Sequence, residues 1–298
     1  MAQTMNETLA PPGRVVVIGS RGVIGHALVE TLQNMKDGFA PVVAVSSGDV
    51  DLLAESAPDK LGALLRPDDA VIMLSGLTPD KGRDSATLIK NLVMARSVGA
   101  ALKQVPPAHL VYMSSDAVYP FMPGVVSEAT PAAPADLYGV MHLAREVMFR
   151  SLGLDAPLAV LRCTLVLSPR DTHNSYGPNR FRKQATEEGR IVLGGGGEET
   201  RDHVLVDDVA RLVIEAVRAR FDGTLNLVSG VSHSFHDVAN MVADAMDDRP
   251  EIVTTDRTMP VTHRHFDSTR LTRAFPGFRF TSLDEAIGAV HKTLGLKT

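Results

Sequence analysis

The sequence predicts a doubly wound α/β protein, a parallel sheet covered by helices on both faces, with a smaller C-terminal unit attached. Three observations predict it. Short β-branched runs alternate with helical patterns through the first half of the chain. A glycine-rich turn joins the first such run to the first helix. The 298 residues are 44% hydrophobic and 22% charged, enough apolar side chain to fill a sheet packed between two helix layers.

Taken in order, Arg14–Ile18 (RVVVI) reads as a buried strand because three consecutive valines favour the pleated backbone and Gly19 stops it. A helix follows over residues 23–35. Residues 41–45, 70–74, 109–113 and 158–167 form four further apolar runs, each read as one strand. Residues 85–104 are helical, since Leu88, Leu92, Ala95, Val98 and Leu102 recur on one face, and residues 138–152 make the next helix. Beyond Ser168 the pattern changes. Residues 171–179 are polar and turn-rich, and 194–197 are all glycine. Helices are expected at 207–220, with Asp207 or Asp208 near the N-terminus, at 234–246 with Ser234 as N-cap, and at 283–294. Residues 224–227 read as a last sheet strand. No repeat or long linker appears, so the last third reads as a small unit threaded through the sheet domain.

Composition removes several function classes. A net charge of −5 leaves no nucleic-acid footprint. No apolar run approaches the roughly 18–20 residues of a membrane span. The single cysteine, Cys163, excludes a disulfide framework and a Cys-rich zinc site. His263-Arg264-His265 has no acidic or cysteine partner nearby, so no metal site is expected. Residues 1–13 lack the basic and apolar regions of a signal peptide and read as a flexible tail on a cytoplasmic protein.

The first chemical signal is Gly19-Ser20-Arg21-Gly22-Val23-Ile24-Gly25, a G-x-x-G-x-x-G turn between strand and helix. The glycines allow a tight turn and close approach of a pyrophosphate, while the helix N-terminus offers free N–H groups to the anion. A site selective for NAD places an acidic residue about 20 positions further on, against the ribose 2′-hydroxyl. Here the second strand ends Val45-Ser46-Ser47, and the next acid is Asp49. Arg21, Ser46 and Ser47 suit a 2′-phosphate, so the cofactor read here is NADP, with NAD the alternative.

Further segments add a family resemblance. The turn GSRGVIGHAL, Asn91, the segment Ser114-Ser115-Asp116-Ala117-Val118-Tyr119, the spacing Glu128-x-x-Pro131-x-x-Pro134-x-x-x-Tyr138-Gly139, residues 201–210 (RDHVLVDDVA) and residues 226–230 (NLVSG) resemble the extended short-chain dehydrogenase/reductases. Within these, they resemble the NAD(P)-dependent epimerase/dehydratase group that modifies nucleotide sugars. The glycine turn is similar to that of the NADP-dependent GDP-fucose synthase branch. The resemblance covers nearly everything after the tail.

It implies a Rossmann domain over residues 14–168 and about 202–228, and a small substrate domain from about 169–201 and 229–298. It also implies hydride transfer with a nicotinamide, Tyr138 as proton donor and acceptor, and Ser115 holding the substrate oxygen. Tyr138 joins residues 19–25, Ser46 and Ser47 in contacting the cofactor. Asp116 is retained from the acid–base pair of 4,6-dehydratases, but Ala117 replaces the base, so 4,6-dehydration is not expected. An Asp alone here also occurs in 4-ketosugar reductases. The family lysine, four residues after the tyrosine, is His142. An imidazole with a pKa near ~6.5 is mostly neutral at pH 7 and lowers a tyrosine pKa less than an ammonium does. The nearest cation along the helix is Arg145, two turns from Tyr138.

Three readings stay open: His142 is a working substitute, another acid–base group operates, or the protein binds cofactor and catalyses little. Asn174, Asn179, Arg201 and Arg264 are substrate candidates, the arginines because a guanidinium fork suits a pyrophosphate. The expected function is an NAD(P)-dependent oxidoreductase or epimerase acting on a nucleotide-linked sugar or a similar hydroxyl or ketone. The expected assembly is a homodimer through the helices at 85–104 and 138–152, with Met94, Met141 and Met148 as spare apolar positions.

Overall fold

The computed structural model describes residues 12–35, 39–171 and 177–295. The first half runs β1 (Arg14–Ile18), α1 (Val23–Asn34), β2 (Val42–Val45), the short α2 (Ala57–Gly62), β3 (Asp69–Met73), α3 (Ser85–Gln104), β4 (His109–Ser115), β5 (Val125–Val126), α4 (Leu137–Arg150) and β6 (Leu158–Cys163). It continues with β7 (Leu165–Leu167), α5 (Gly177–Glu188), β8 (Arg190–Gly194), β9 (Thr200–Leu205), α6 (Val206–Arg218) and β10 (Gly223–Leu227). The last elements are β11 (Ser232–Ser234), α7 (Phe235–Asp244), β12 (Glu251–Thr255), β13 (His265–Phe266), α8 (Thr269–Ala274) and α9 (Leu283–Thr293).

Six strands form the central sheet in the order β10-β6-β4-β3-β1-β2, and every neighbouring pair is parallel. On β1 the pleat divides the side chains between two cores. Val15 and Val17 join the cluster under α1 and α6, while Val16 and Ile18 join the cluster under α2, α3 and α4. Both faces are covered, so the strands read as unbroken apolar runs rather than alternating ones. The chain steps from β1 outward to β2 and then back across β1 to β3. Loops leaving β1 and β3 in opposite directions open a crevice at their carboxyl ends, the general place for a ligand in such sheets.

Aspartates start the two helices that flank this crevice. Asp84 caps α3, accepting from the Thr87 N–H at 2.8 Å, and Asp136 caps α4, accepting from the Gly139 N–H at 2.8 Å. Ser234 caps α7 in a reciprocal box with Asp237.

The run at 158–167 is two strands. β6 stays in the central sheet, and at Thr164, whose hydroxyl donates to the Asp202 carbonyl at 3.0 Å, the chain turns away. β7 then pairs with β9 in a separate three-stranded sheet, β11-β9-β7. A third core packs β7, β8, α5, α7 and α9 around Leu167, Phe181, Ile191, Val242 and Ile287. α5 begins inside the stretch read as turn-rich. Its buried face includes polar Asn179 and Arg182 beside Phe181 and Ala185, which breaks the apolar stripe that would have marked a helix.

Candidate active site

The glycine turn has the backbone an anion cradle requires. Gly19 sits at φ +98°, a conformation L side chains rarely adopt, and a Cβ there would stand 2.7 Å from the Ser75 nitrogen. A Cβ on Gly25 would stand 2.2 Å from the Gly19 carbonyl oxygen, so α1 can pack onto the turn only through a glycine. Gly22 is the N-cap of α1. Among the described residues no side chain caps that terminus, and its first turn carries no acid. Its amides and its dipole therefore face the crevice unopposed, which fits a dinucleotide pyrophosphate.

The rim of the turn holds Arg21, exposed, and the end of β2. Ser46 is buried, and both its N–H and its hydroxyl donate to the Asp49 carboxylate, at 2.8 and 2.6 Å. Ser47 stays exposed. Those bonds from Ser46, with a smaller contribution from the Arg21 charge, hold the Asp49 carboxyl below its ordinary range. Arg21 lies over Gly48, with Nη1 3.8 Å from where a Cβ would be. Sequence reasoning read this rim as lacking a carboxylate; the structure folds one back beside Arg21.

Across the crevice, β4 and α4 bring the expected pair together. Ser115 ends β4 and Tyr138 lies in the first turn of α4, with Ser115 favouring the Tyr138 phenolate. The Ser115 hydroxyl accepts from the Ala117 N–H at 3.1 Å and donates to Asp116 Oδ1 at 3.4 Å. Burial pushes the Tyr138 phenol well above its usual pKa, and Tyr112, Asp116 and Cys163 push the same way, while Ser115 opposes them. Asn91 on α3 fixes the neighbouring loop by accepting from the Leu77 N–H at 2.8 Å and donating to the Leu77 carbonyl at 3.0 Å. A cavity of about 100 Å³ opens beside Tyr138, lined by Leu77, Arg83, Thr87, Asn91 and Asp136.

His142 is inside this cluster. Its ring stands edge-on to Tyr138, centroids 4.7 Å apart, and its Nδ1 shares a hydrogen bond of 2.9 Å with the Tyr112 hydroxyl. Burial, reinforced by Arg145, lowers its pKa to about 3, so it is a neutral group at physiological pH. One turn along α4, Arg145 is 1% exposed. It donates to the Ser75 carbonyl at 2.8 Å and contacts the Met141 sulfur at 3.8 Å, with its guanidinium carbon 5.4 Å from the Tyr112 ring centre. Sequence reasoning placed Arg145 two turns from Tyr138 and gave it no role. The signal available was helical spacing, since positions 138, 142 and 145 share a face.

The substrate candidates separate. Arg264 and Arg201 both converge on Phe121, 4.3 and 5.1 Å from its ring centre. Arg264 is buried and donates to the Asp116 carbonyl and carboxylate and to the Tyr119 carbonyl, so it clamps the loop after β4. Burial raises the Asp116 pKa, and the charges of Arg264 and Arg201 work against that rise. Arg201 is half-buried, donating to the carbonyls of Thr200 and Thr262 at 2.8 and 2.7 Å. Asn179 faces inward, donating to Asp171 at 2.7 Å and accepting from Arg182 at 3.0 Å. Asn174 lies outside the described residues. Among the described residues, no group of three or more His, Cys, Asp or Glu is placed to hold a metal ion, and no helix is long and apolar enough to cross a membrane.

Residues 15–227 match the model of the NAD dependent epimerase/dehydratase family. The chain belongs to this family. The match spans the glycine turn, Ser115 and Tyr138. A probable GDP-L-fucose synthase 1 from Oryza sativa subsp. japonica is 26% identical over 258 residues, 78% of this chain and 77% of that protein. Among solved structures, MoeE5 in complex with UDP-glucose and NAD aligns with a TM-score of 0.79 at 26% identity, covering 94% of this chain and 98% of that one. RMD from Pseudomonas aeruginosa, complexed with NADPH, shares the fold with a TM-score of 0.81 at 24% identity, covering 95% and 98%. The family consists of enzymes that depend on a nicotinamide dinucleotide.

Proposed function

We propose that the protein is an NAD(P)-dependent oxidoreductase or epimerase of a nucleotide-linked sugar, with NADP as its cofactor. The observation that carries the reading is the glycine cradle at Gly19–Gly25, across the crevice from Ser115 at the end of β4 and Tyr138 in the first turn of α4. When bound, the nicotinamide supplies the hydride acceptor or donor. Ser115 holds the substrate oxygen. Tyr138 takes the hydroxyl proton as the carbonyl forms and returns it in the opposite direction. Asp116, held by Arg264, stands next to Ser115, and Arg201 lies on the same side through Phe121. Together they form the substrate-facing wall, and the elements around β7–β9 and α5 supply the substrate portion. Similarity to a GDP-fucose synthase and to a UDP-glucose-bound structure supports a nucleotide sugar as substrate.

NADP is favoured by the exposed Arg21 at the rim of the turn, beside the exposed Ser47. The Asp49 carboxylate beside it is the observation that favours NAD instead. A second reading of the function, cofactor binding with little catalysis, is favoured by the neutrality of His142 where the family has a lysine.

The test is a screen of nucleotide-linked sugars with the parent and Tyr138→Phe. Turnover in the parent, reduced about 100- to 10,000-fold by Tyr138→Phe, is expected for a positioned acid–base group. Turnover unaffected by that change overturns the assignment, and no turnover by the parent, with cofactor still bound, favours the second reading.

For assembly, Met141 is buried, and Met94 and Met148 are partly buried against the core, so the methionines are not spare. The exposed large apolar positions of α3 and α4 are Ile89, Leu137, Val140 and Val147, and a homodimer through these helices would use them.

A further inference from the structure

Among the described residues, the Arg145 charge has no counter-ion. The residue is 1% exposed, and among the described residues no carboxylate lies within ion-pair distance of its guanidinium. The carboxylate next to it in sequence, Glu146, is bound by Arg162 at 2.8 Å. What Arg145 meets instead is the Ser75 carbonyl, the Met141 sulfur and the π-face of Tyr112, and its Nε has no partner. Arginine stays protonated even when buried, so a cation persists here at a desolvation cost the contacts only partly offset.

Its surroundings indicate where that charge acts. α4 carries Tyr138, His142 and Arg145 on one face. The Tyr112 ring lies under Arg145, its hydroxyl joins His142, and His142 packs edge-on to Tyr138. Among the described residues, the titratable and charged groups facing Tyr138 are Tyr112 from β4, Asp116 from the turn after it, Cys163 from β6, His142 and Arg145 from α4 itself, and, around the cavity, Arg83 and Asp84 before α3 and Asp136 at the cap of α4. Of these, Tyr112, Asp116 and Cys163 disfavour a phenolate and His142 is neutral. Arg83 is exposed to solvent, so Arg145 is the buried cation of the set.

We propose that Arg145 supplies the fixed positive charge that favours the Tyr138 phenolate, acting across Tyr112 and His142 as a positioning residue that touches neither substrate nor cofactor. The proposal rests on Tyr138 being the acid–base group. It gives the missing lysine a replacement two turns along the helix rather than one, and it assigns His142 a packing and hydrogen-bonding role.

The test places a difluorotyrosine at position 138, whose lower ionisation pH brings the phenolate into a measurable window, and reads it by fluorine NMR without added cofactor or substrate. Arg145→Met should raise the ionisation pH of this reporter by at least about one unit, the scale of a nearby opposite charge. Arg145→Gln, which keeps a donor for the Ser75 carbonyl, should do the same if the methionine variant does not fold. Arg145→Lys should restore most of the shift, and His142→Gln should leave the reporter near its parent value. With Tyr138 itself in place, the pH profile of kcat/KM should move alkaline in Arg145→Met. A reporter unmoved by both neutral variants overturns the proposal, and so does one moved as far by His142→Gln. Lost NADPH affinity with an unmoved reporter would assign the charge to the cofactor and also overturn it. Tyr138→Phe that keeps full turnover overturns the acid–base reading itself, whatever the reporter shows.

Discussion

Two buried arginines flank β4, and they are held in opposite ways. Arg162 on β6 forms a bidentate pair with Glu146, at 2.9 and 2.8 Å, and donates to the Tyr119 hydroxyl at 2.8 Å; Ser114 donates to the same carboxylate at 2.6 Å. Every charge in that network has an opposite charge. Arg145, the residue before Glu146, meets a carbonyl, a sulfur and a ring, and no carboxylate among the described residues. A paired buried charge fixes the geometry of a core, and breaking it exposes the partner's desolvation cost. An unpaired buried cation adds little to stability, and its place beside the candidate acid–base tyrosine points to chemistry instead.

The sharpest break in this comparison is at the paired end. Glu146→Ala leaves the Arg162 guanidinium buried without its carboxylate, and should cost about 3–5 kcal/mol of unfolding free energy in urea titration. A cost below about 1 kcal/mol would show that the network is not what holds α4 against β4 and β6.

The next effect concerns the neutral histidine between the two tyrosines. An unfolded histidine titrates near ~6.5, whereas in the fold His142 titrates at about 3. Between those values the unfolded chain binds a proton that the folded one excludes, so stability rises with pH across this window and is lost on acidification. Going from pH 7 to pH 5, His142 should account for about 2 kcal/mol of that loss. His142→Gln should lose that much less than the parent over the same interval, with buried His203 and His109 contributing equally in both proteins. Identical acid sensitivity in the two proteins would mean that the His142 ring is hydrated.

Smaller still is the effect at the cofactor rim. NADPH should bind more tightly than NADH, and Arg21→Ala should reduce that preference about tenfold, the worth of one exposed charge-assisted contact. Asp49→Asn should widen the preference by removing an acid from the same rim. Calorimetry giving equal affinities in the parent, or a preference for NADH that Asp49→Asn abolishes, would assign NAD as the cofactor.

The same contrast explains what the sequence made legible. The β1 turn, the helix at 85–104 and the strands of the central sheet are local patterns: β-branched runs, a helical stripe, glycines where φ must be positive. The Tyr138–Ser115 pair was readable because the resemblance placed each residue at the end of its own element. The break at Thr164 was not legible, since residues 158–167 are one apolar run and only the pairing of β7 with His203–Leu205 separates them. Asp49 looked too distant for the cofactor rim because two hydrogen bonds from Ser46, invisible in the chain, turn it back. Arg145 read only as the nearest cation along α4 from Tyr138; that Glu146, the next residue, is taken up by Arg162 on β6 is a tertiary fact.

The central claim is that the two buried arginines differ in kind, and a paired measurement tests it: urea unfolding and steady-state turnover of Arg145→Met and Arg162→Met side by side. Arg145→Met should stay within about 1 kcal/mol of the parent in stability while turnover falls at least tenfold near neutral pH. Arg162→Met should lose several times more stability because it strands Glu146. If Arg145→Met unfolds as readily as Arg162→Met, or keeps full turnover, the unpaired charge is structural and the account is wrong.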